Sequence, residues 1–434
     1  MKKENILFYS LAAYVFLLII FSLINYNNIT EWALVELLIN YQGGFVRRGL
    51  LGELNFITKD IFSSYYPIIP IIILSFLYLL NFFMLIYLCL KLKKNNLLLF
   101  LIILLSPATI LFNVYDPAAL FRKDVIFITA ILLHTIIINL IFENKFKADS
   151  YNKLLSLIII PILSINMLIH EVQIFFILPH ILLSMFVYNN FKENFKKFIV
   201  YLVPFVFFLI VFFNKGDSII INEIKNSLSY YPSEIINKPY NPIHYLEGNI
   251  FLILGNSIKL FFWYNYETSI QLLIAFFLSF YFFWYLLKSF YKQNYKFIDD
   301  KYVILKNNLF KKLSILFFII IIISMPVAID FGRFFHLITM HLIAIFLCLP
   351  KTFFLEKYNF SKTLHKSFIK VFIFAYFTLW VLPHGYVGYA GTKIYQSGLM
   401  KTNKKIISQM GLNLEKNKII KFPRFILDNF EKNK

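Results

Sequence analysis

The chain has 434 residues, of which 59% are hydrophobic and only 15% are charged. A soluble protein of this length needs more polar surface to cover its core, so the composition excludes an ordinary soluble domain. The net charge is +20, but the lysines stand mostly in short segments between apolar runs. That distribution is typical of the positive-inside bias of an inner-membrane protein and argues against nucleic acid as a partner.

Apolar runs recur along the chain at the length that a helix needs to cross a bilayer. They predict an all-α polytopic membrane protein with about eleven transmembrane helices. The predicted spans are 6–25, 67–92, 97–113, 125–142, 153–169, 172–188, 198–213, 267–288, 313–329, 335–350 and 368–383. The first run lacks a small-residue cleavage site, so we expect a retained anchor.

The basic segments orient these spans. With this number of spans, every lysine-rich connection falls on the cytoplasmic side of a bacterial inner membrane. The extracytoplasmic connections are then 26–66, 114–124, 170–171, 214–266 and 330–334, and a polar, basic tail (384–434) follows the single transmembrane domain (1–383). The apolar stretch 249–265 carries Lys259 in its middle and is short, so we interpret it as interfacial or re-entrant.

Arginine is the most informative residue type. The chain has five arginines, at positions 47, 48, 122, 333 and 424, and all its other Lys+Arg residues are lysines. Where only positive charge is required, this chain uses lysine, whereas arginine presents a planar fork of donors that holds a phosphate or carboxylate bidentately. Four of the five lie in predicted outer connections. The alternatives to a shared site are chance and interfacial anchoring.

The first of these connections contains Gly43-Gly44, a predicted turn, followed by a predicted helix lying on the membrane. Its apolar stripe comprises Phe45, Leu50, Leu51, Leu54 and Ile57. Arg47 and Arg48 would stand at the N-terminal end of that helix, where free amide groups also favour an anion. We predict a pyrophosphate clamp there. The alternative is a basic helix that contacts ordinary lipid headgroups.

The second connection ends in the charged triplet Arg122, Lys123 and Asp124, which opens the next span. Charged side chains entering lipid are expensive unless they face protein or a wet cavity. We therefore predict that Arg122 and Lys123 bind substrate and that Asp124 has a catalytic role. An Arg122–Asp124 structural pair is the alternative. Asp116, before Pro117, is read as a helix N-cap.

The third connection is His170-Glu171, inside a hairpin that is too short for two full spans, so its turn should be recessed. A carboxylate held there needs a raised pKa or a cationic partner, and Glu171 is a candidate general base. The alternative is that Glu171 only pairs with an arginine and holds the bundle together. His170 is a weaker candidate for substrate binding.

The fourth connection carries Asp330, Arg333 and His336. Arg333 and His336 are candidates for substrate binding, with Asp330 orienting Arg333 or acting in catalysis. Asp330 and Arg333 could instead pair with each other on one helical face. We expect His134 and His180, deep in their spans, to be core residues.

We predict no metal and no cofactor. The outer connections contain no His-x-x-x-His pair, and Cys89 and Cys348 are interpreted as packing residues. Outer aromatic residues such as Tyr245 could stack on sugar rings, although an interfacial belt explains them equally well.

Three motifs together carry a resemblance. Gly-Phe-Val-Arg-Arg-Gly-Leu-Leu-Gly on the outer face, Arg-Lys-Asp at the start of a span, and an Asp-x-Gly-Arg-aromatic turn resemble the O-antigen polymerase-like membrane proteins of bacterial surface-polysaccharide synthesis. The resemblance implies metal-independent glycosyl transfer outside the membrane. The donor would be a glycan on undecaprenyl pyrophosphate, and the acceptor a second lipid-linked repeat unit.

The resemblance also implies roles for residues. Arg47, Arg48, Arg122 and Arg333 would hold the leaving pyrophosphate, and Glu171 or Asp124 would activate the acceptor hydroxyl. The partners would be polyprenyl-linked glycans, membrane lipids and other polysaccharide-assembly proteins. The chain departs from the family pattern in one respect, because the long outer loop 214–248 contains no arginine.

Two rival functions remain open at the sequence level. A multi-span glycosyltransferase that uses a polyprenyl-monophosphate sugar usually has an acidic residue in its first outer loop and often a divalent metal. Glu36, Glu53 or Asp60 could supply the acidic residue. A transporter or flippase for lipid-linked glycans would instead place charges at the bilayer midplane and show internal symmetry. The sequence shows neither feature.

Overall fold

The computed structural model describes residues 3–24, 30–60, 67–92, 97–115, 119–143, 145–147, 150–188, 195–238, 241–247 and 331–349. Within these ranges the secondary structure is entirely helical. The α-helices are α1 (Lys3–Ile24), α2 (Glu31–Glu36), α3 (Leu50–Ile57), α4 (Ile68–Cys89), α5 (Leu97–Leu105), α6 (Phe112–Tyr115), α7 (Asp124–Phe142), α8 (Ser150–Leu154), α9 (Ile160–Ile169), α10 (Ile177–Val187), α11 (Phe195–Phe198), α12 (Leu202–Phe213), α13 (Ser218–Ser227), α14 (Ser233–Ile236) and α15 (Phe331–Leu347).

Shorter helical turns complete these elements. A π-helical turn, Leu155–Ile159, joins α8 to α9 in one continuous rod. A 3₁₀-helix, Glu171–Phe176, leads into α10, and another, Ile199–Tyr201, leads into α12.

Long apolar helices make this a membrane-embedded protein. In the described ranges, five segments are long and apolar enough to cross a bilayer, namely Asn5–Ile24, Ile68–Leu92, Asp124–Phe142, Ser150–Ile169 and Lys196–Phe213. Two shorter apolar helices are Glu171–Val187 and Gly332–Leu347. The predicted all-α class is confirmed for this part. The predicted spans 267–288, 313–329 and 368–383 lie outside the described residues, so the count of about eleven stays a prediction.

The predicted continuous span 97–113 is wrong. Helix α5 ends at Leu105, a turn follows, and α6 begins only at Phe112. Pro107 explains the break, because proline disfavours helical backbone at the preceding residue and donates no amide hydrogen. Ser106 then organises the turn by accepting a hydrogen bond from the Ala108 amide at 3.3 Å.

Helix α7 begins well inside the bundle. Asn81, near the middle of α4, donates to the carbonyl oxygen of Val125 at 2.8 Å. The first turn of α7 therefore lies level with the middle of α4. A charge at the start of α7 therefore lies deeper in the bundle than the first residues of α4. We call the start of α7 its site end.

Lys91 ties three helices together at the opposite end. Its ammonium group donates to Asn139 of α7 at 3.0 Å, to the carbonyl oxygen of Leu349 at 2.8 Å, and to that of Leu347 at the end of α15. A cation at the C-terminus of a helix satisfies carbonyl groups that have no partner within the helix. Contact with these carbonyls explains why Lys91 is tolerated in a half-buried place.

The described residues form two apolar cores. The larger core fills the space between the membrane helices and includes the free, buried Cys89 and Cys348, as predicted. The smaller core belongs to a cap, formed by residues 30–60 and 215–247, that packs over the site end. Its buried side chains are Leu34, Val35, Leu38, Ile39, Val46, Ile221, Ile224, Leu228, Tyr231, Ile236, Ile243 and Leu246.

Candidate functional site

Charged side chains from four separate segments converge at the recessed start of α7. They come from the connection after α1, from the residues that open α7, from the turn after α9 and from the first turn of α15. We call this set the charged cluster, and its members are Glu36, Arg48, Arg122, Lys123, Asp124, His170, Glu171 and Arg333. Of the four outer arginines that the sequence places in a shared site, Arg48, Arg122 and Arg333 meet with acidic neighbours, whereas Arg47 donates to the carbonyl oxygens of Tyr245 and Leu246.

Glu36 stands at the centre of the cluster. One carboxylate oxygen lies 2.6 Å from Nη1 of Arg122, and the other lies 3.6 Å from both Nη1 of Arg48 and Nε2 of His170. Burial opposes ionisation of Glu36, but the charges of Arg122, Lys123 and Arg48 outweigh it and hold its pKa well below the ordinary value. Glu36 is therefore an anion at neutral pH.

The sequence suggested Glu36 only as one of three possible acidic residues in the first outer loop of a glycosyltransferase that uses a monophosphate donor. A usable signal was present, because Glu36 interrupts the apolar run from Ala33 to Ile39. A carboxylate in such a run must be buried with a cationic partner. The two other acidic candidates lie elsewhere, since Glu53 accepts hydrogen bonds from Tyr41 and Gln42 and Asp60 is exposed.

Arg48 and Glu171 form a bidentate pair. Nε of Arg48 lies 3.1 and 3.0 Å from the two carboxylate oxygens of Glu171, and its Nη2 lies 2.5 Å from Oε1. Of the two expected outcomes for Glu171, a raised pKa or a cationic partner, the contacts show the cationic partner, which a purely structural pairing also requires. The two side chains are 21% and 13% exposed, against 4% for Glu36. The cluster therefore meets its surroundings most openly at this pair.

Arg333 and Asp124 form a second bidentate pair, with distances of 2.5 Å from Nε to Oδ2 and 2.8 Å from Nη2 to Oδ1. The alternative of an Arg122–Asp124 pair is not the one that the contacts show, because Arg122 contacts Glu36 and Asp124 contacts Arg333 of α15. The alternative of an Asp330–Arg333 pair stays a prediction. Asp330, the other expected partner of Arg333, lies outside the described residues, as does Asp116.

Lys123 and His170 are the remaining members of the cluster, and neither forms a bidentate pair with a carboxylate. The ammonium group of Lys123 is 1% exposed and donates to the carbonyl oxygen of Arg48 at 3.1 Å. Burial lowers its pKa to about 8, against the raising effect of Glu36. Burial and the charge of Arg48 lower the pKa of His170 to about 3, so this imidazole is neutral. Its Nδ1 accepts the Val172 amide at 3.3 Å, which leaves the proton on Nε2, facing Glu36.

Arg47 and His336, two predicted substrate-binding residues, make their hydrogen bonds outside the charged cluster. The guanidinium group of Arg47 donates to the carbonyl oxygens of Tyr245 and Leu246, so it ties the two halves of the cap together. The predicted Arg47–Arg48 clamp is therefore not formed. His336 donates from Nδ1 to the carbonyl oxygen of Ala108 at 3.1 Å and stacks on Phe112, deep in the bundle.

The backbone around the arginines is unusual. Arg48 has φ 68° and Phe121, next to Arg122, has φ 61°. A left-handed conformation costs a side-chain-bearing residue about 1–2 kcal/mol, and such residues concentrate at functional sites. Gly52 permits a further close approach, because a Cβ atom there would lie 1.9 Å from the carbonyl oxygen of Ile39. This glycine is why the helix after Arg48 fits tightly beneath the segment that follows Glu36.

The cluster carries an excess of positive charge. Its four cationic side chains face three carboxylates, and Arg47 adds a fifth cation nearby, close enough to influence Glu171. An anion is thus the ligand that this arrangement favours. Of the two surroundings that a charged side chain at a span end requires, protein or a wet cavity, Arg122 and Arg333 have the first, because both are buried. Among the described residues no group of His, Cys, Asp and Glu is arranged to hold a metal ion.

Comparison with protein-family models, with curated proteins and with solved structures found no match to this chain.

Proposed function

We propose that this protein catalyses glycosyl transfer at the extracytoplasmic face of the bacterial inner membrane, with a polyprenyl-pyrophosphate-linked glycan as donor. The observation that carries the proposal is the convergence of Arg48, Arg122, Lys123 and Arg333 around three carboxylates at one recessed place. Transfer from a lipid pyrophosphate needs stabilisation of the negative charge that develops on the leaving group, together with a base for the acceptor hydroxyl.

Charge balance favours a pyrophosphate over a neutral ligand. Among the described residues, and with Arg47 included, the positive groups exceed the carboxylates by two, and a sugar diphosphate ester of a lipid carries two negative charges. Binding the diphosphate would therefore neutralise the region. A neutral bound complex in a low-dielectric place is electrostatically favourable, because a net buried charge is costly.

Exposure supports access at the Arg48–Glu171 pair. Of the four side chains in the two bidentate pairs, Arg48 and Glu171 have the largest exposed fractions. An incoming phosphate would compete with Glu171 for the Arg48 fork, and the released carboxylate would become available to accept the proton of the acceptor hydroxyl. Glu171 is thus the best-placed candidate base, whereas Asp124 is held by Arg333 in a buried position.

A groove beside the cluster supports a lipid-linked substrate. Between α9 and α12 lies a largely apolar groove of about 430 Å³, lined by Ser156, Ile160, Pro161, Ser164, Ile165, Val200, Val203 and Phe207. Its Ile165 end is about 7.5 Å along α9 from His170, at 1.5 Å per residue. A polyprenyl tail lying in this groove would bring its phosphate end towards the Arg48–Glu171 pair.

The position of Glu36 favours a second candidate, transfer from a polyprenyl-monophosphate sugar. That class usually has an acidic residue in the first outer loop, and Glu36 occupies the centre of the cluster. The two candidates differ in the donor, since a monophosphate ester carries one negative charge. They are distinguished by supplying the purified protein with each lipid-linked sugar in turn.

The experiment is deletion of the gene, followed by gel analysis of lipid-linked and surface glycans. A lost polymerase leaves lipid capped with single repeat units, a lost single-sugar transferase truncates the repeat, and a lost flippase strands the repeat inside. The deletion strain is then complemented with Arg48→Lys, which keeps the charge and removes the fork. We expect this variant to restore expression of the protein but not the glycan.

Two results would overturn the proposal. One is a deletion strain with unchanged glycans. The other is full complementation by Arg48→Lys and by Glu171→Gln as separate variants, because a phosphate clamp needs the guanidinium fork and a general base needs the carboxylate. Lys238→Arg, in an exposed pair with Glu31, is the matched control and should complement fully.

A further inference from the structure

A second polar system lies in the middle of the bundle and contains no charged side chain. Nδ1 of His134 lies 3.0 Å from Nδ1 of His180, and its Nε2 lies 2.7 Å from the Tyr151 hydroxyl. The Tyr151 hydroxyl lies 2.7 Å from that of Ser184, which lies 2.6 Å from that of Tyr201. We call these five residues the polar chain. All five are buried, although the residues surrounding them are the apolar ones expected of a membrane core.

Each link of the polar chain can be made in either direction. A neutral imidazole donates from one ring nitrogen and accepts at the other, and a hydroxyl does both. If His180 donates to His134, then His134 donates to Tyr151, and Tyr151 to Ser184. If Tyr201 donates to Ser184, the order reverses and His134 donates to His180. In the first order the carbonyl oxygen of His180, within 3.1 Å of Ser184 and 3.0 Å of Tyr201, accepts the hydroxyl hydrogen that remains, whereas in the reversed order all three hydroxyl hydrogens are used along the chain.

Two more histidines extend this system towards the charged cluster. His336 and His341 each donate from Nδ1 to a backbone carbonyl, of Ala108 at 3.1 Å and of Leu337 at 2.7 Å. Their Nε2 atoms are therefore acceptors. The ring of His341 lies edge-on to that of His180 at 6.5 Å, and His336 stands one helical turn after Arg333 in α15.

Three ring nitrogens in this region have no hydrogen-bond partner among the described residues, namely Nε2 of His180, of His336 and of His341. An unsatisfied buried polar atom costs about 1–3 kcal/mol. Three such atoms on neighbouring histidines are better explained by ordered water, which typically makes two to four hydrogen bonds to buried polar groups. Water between these rings would make the path continuous from Tyr201 to the charged cluster.

We propose that the polar chain, continued by water to His341 and His336, is a proton relay between the charged cluster and the opposite end of the bundle. The relay covers a long distance along the bundle. His134 follows Asp124 by ten residues of α7, or about 15 Å. Tyr151 and Tyr201 lie at the ends of the α8–α9 rod and of α12 that are far from the charged cluster. Ionisable side chains buried in membrane helices are typical of proton pathways.

The transfer balances without another reactant. A proton from water binds Nε2 of His180, and the proton on its Nδ1 moves to Nδ1 of His134. The Nε2 proton of His134 then moves to the Tyr151 hydroxyl, whose own proton moves to Ser184. The Ser184 proton moves to the Tyr201 hydroxyl, whose own proton passes to a water molecule at that end of the bundle. Each move breaks one N–H or O–H bond and forms another, and a later proton moving in the opposite direction restores the starting polarity.

Among the described residues, a few polar and charged side chains lie next to the relay. Tyr188 packs on Tyr151, with ring centroids 5.3 Å apart, and the Cys348 thiol lies close enough to Tyr151 to interact electrostatically. Asp124 and Arg333 interact with His336 at the other end. These neighbours leave the order of the relay unchanged, because none of their polar groups is hydrogen-bonded to a member of the polar chain in the bonds described above.

The test measures proton movement directly. The full-length protein is reconstituted into vesicles that contain a pH-sensitive dye, and the external pH is stepped with the membrane potential clamped. We expect the unmodified protein to equilibrate pH faster than protein-free vesicles do. Tyr151→Phe removes one hydroxyl of the chain and should reduce the rate to that of protein-free vesicles. Tyr188→Phe is the matched control, because its hydroxyl bonds to Asn152 outside the chain, and it should leave the rate unchanged.

Two results would overturn the relay. One is an unmodified protein that equilibrates no faster than protein-free vesicles, and the other is an equal rate for Tyr151→Phe and Tyr188→Phe. Ser184→Ala gives an independent check if Tyr151→Phe does not fold. The assay contains no glycan substrate, so its outcome is separate from that of the proposed glycosyl transfer.

Discussion

The charged cluster and the polar chain share two helical segments and accommodate polar groups in a membrane protein in opposite ways. Helix α7 and the segment from Glu171 through α10 contribute to both. In the cluster, two guanidinium forks fix the partner and the direction of their contacts. In the polar chain, neutral imidazoles and hydroxyls leave the direction open.

Depth in the bundle explains the difference. Full charges occur at the recessed start of α7, where carboxylates and arginines are matched and the cap covers them. About ten residues further along α7, neutral donors and acceptors replace them. The energetic penalty for an unmatched charge grows with distance from water, whereas a neutral hydrogen-bonded group is tolerated at any depth. The following predictions test this division, from the largest expected effect to the smallest.

Glu36→Gln should have the largest effect on stability. It removes the carboxylate that lies 2.6 Å from the buried Arg122, and breaking a buried ion pair in this way costs about 3–5 kcal/mol. Glu31→Gln, in the same helix, is the control, because Glu31 is 58% exposed and pairs with Lys238 at the surface. A surface pair contributes about 0–1 kcal/mol. Denaturant unfolding in detergent micelles measures both changes, and equal shifts would show that Glu36 does not hold the cluster together.

The Arg333–Asp124 pair should behave as one unit. Arg333→Gln and Asp124→Asn each strand one buried charge, so each should destabilise the protein by about 3–5 kcal/mol. The double variant leaves no stranded charge at this pair and should cost clearly less than the sum of the two single changes. A double-mutant cycle of unfolding free energies measures the coupling, and additive effects would contradict the direct pairing.

Lys123 should give the site a pH dependence. Burial lowers its pKa from 10.5 to about 8, so the folded state binds fewer protons than the unfolded state between these values. Its contribution to the unfolding free energy therefore rises with pH in that window. Affinity for an anionic lipid should move the other way and fall as pH rises through about 8, because the positive charge is lost.

Lys123→Arg should remove both pH effects, since arginine stays charged throughout this range. Binding of a fluorescent lipid-linked diphosphate from pH 6 to 10, and unfolding over the same range, provide the measurements. A binding curve that falls near pH 8 in both proteins would assign the dependence to another group.

Ser184→Ala tests the polar chain with a smaller effect. Ser184 and Ser164 both donate to the carbonyl oxygen four residues earlier, at 3.1 and 2.9 Å, but only Ser184 also contacts two tyrosine hydroxyls. Ser184→Ala should therefore destabilise the protein more than Ser164→Ala, by about 1–2 kcal/mol. The difference in unfolding midpoint measures this, and equal midpoints would show that the bonds to Tyr151 and Tyr201 add nothing.

The sequence predicted the features of the fold and the charged cluster that depend on composition and on the small number of arginines. Length and apolarity identified the described spans, and the rarity of arginine identified Arg48, Arg122 and Arg333 as residues that meet. The recessed hairpin gave Glu171 a cationic partner. These inferences succeeded because bilayer thickness and the cost of buried charge constrain any chain in the same way.

The pairing of individual residues could not be predicted. Arg47 and Arg48 are adjacent, yet the left-handed backbone at Arg48 sends one to the cap carbonyls and the other to Glu171. His134 and His180 were expected to be plain core residues, and nothing in the sequence shows that Tyr151, Ser184 and Tyr201 align with them. Such contacts depend on the rotation and crossing of helices, which the apolar pattern of a membrane helix specifies weakly because it is apolar on every side.

Lys91 gives α15 an asymmetric attachment. One end of this helix is fastened by an ammonium group that holds Leu347, Leu349 and Asn139 together, and the other is held by the fork between Arg333 and Asp124. A ligand phosphate that took over that fork would release only the second attachment. The bonds to Lys91 and the hydrogen bond from His336 to Ala108 would remain, so any displacement of the helix would be largest at Arg333 and smallest near Lys91.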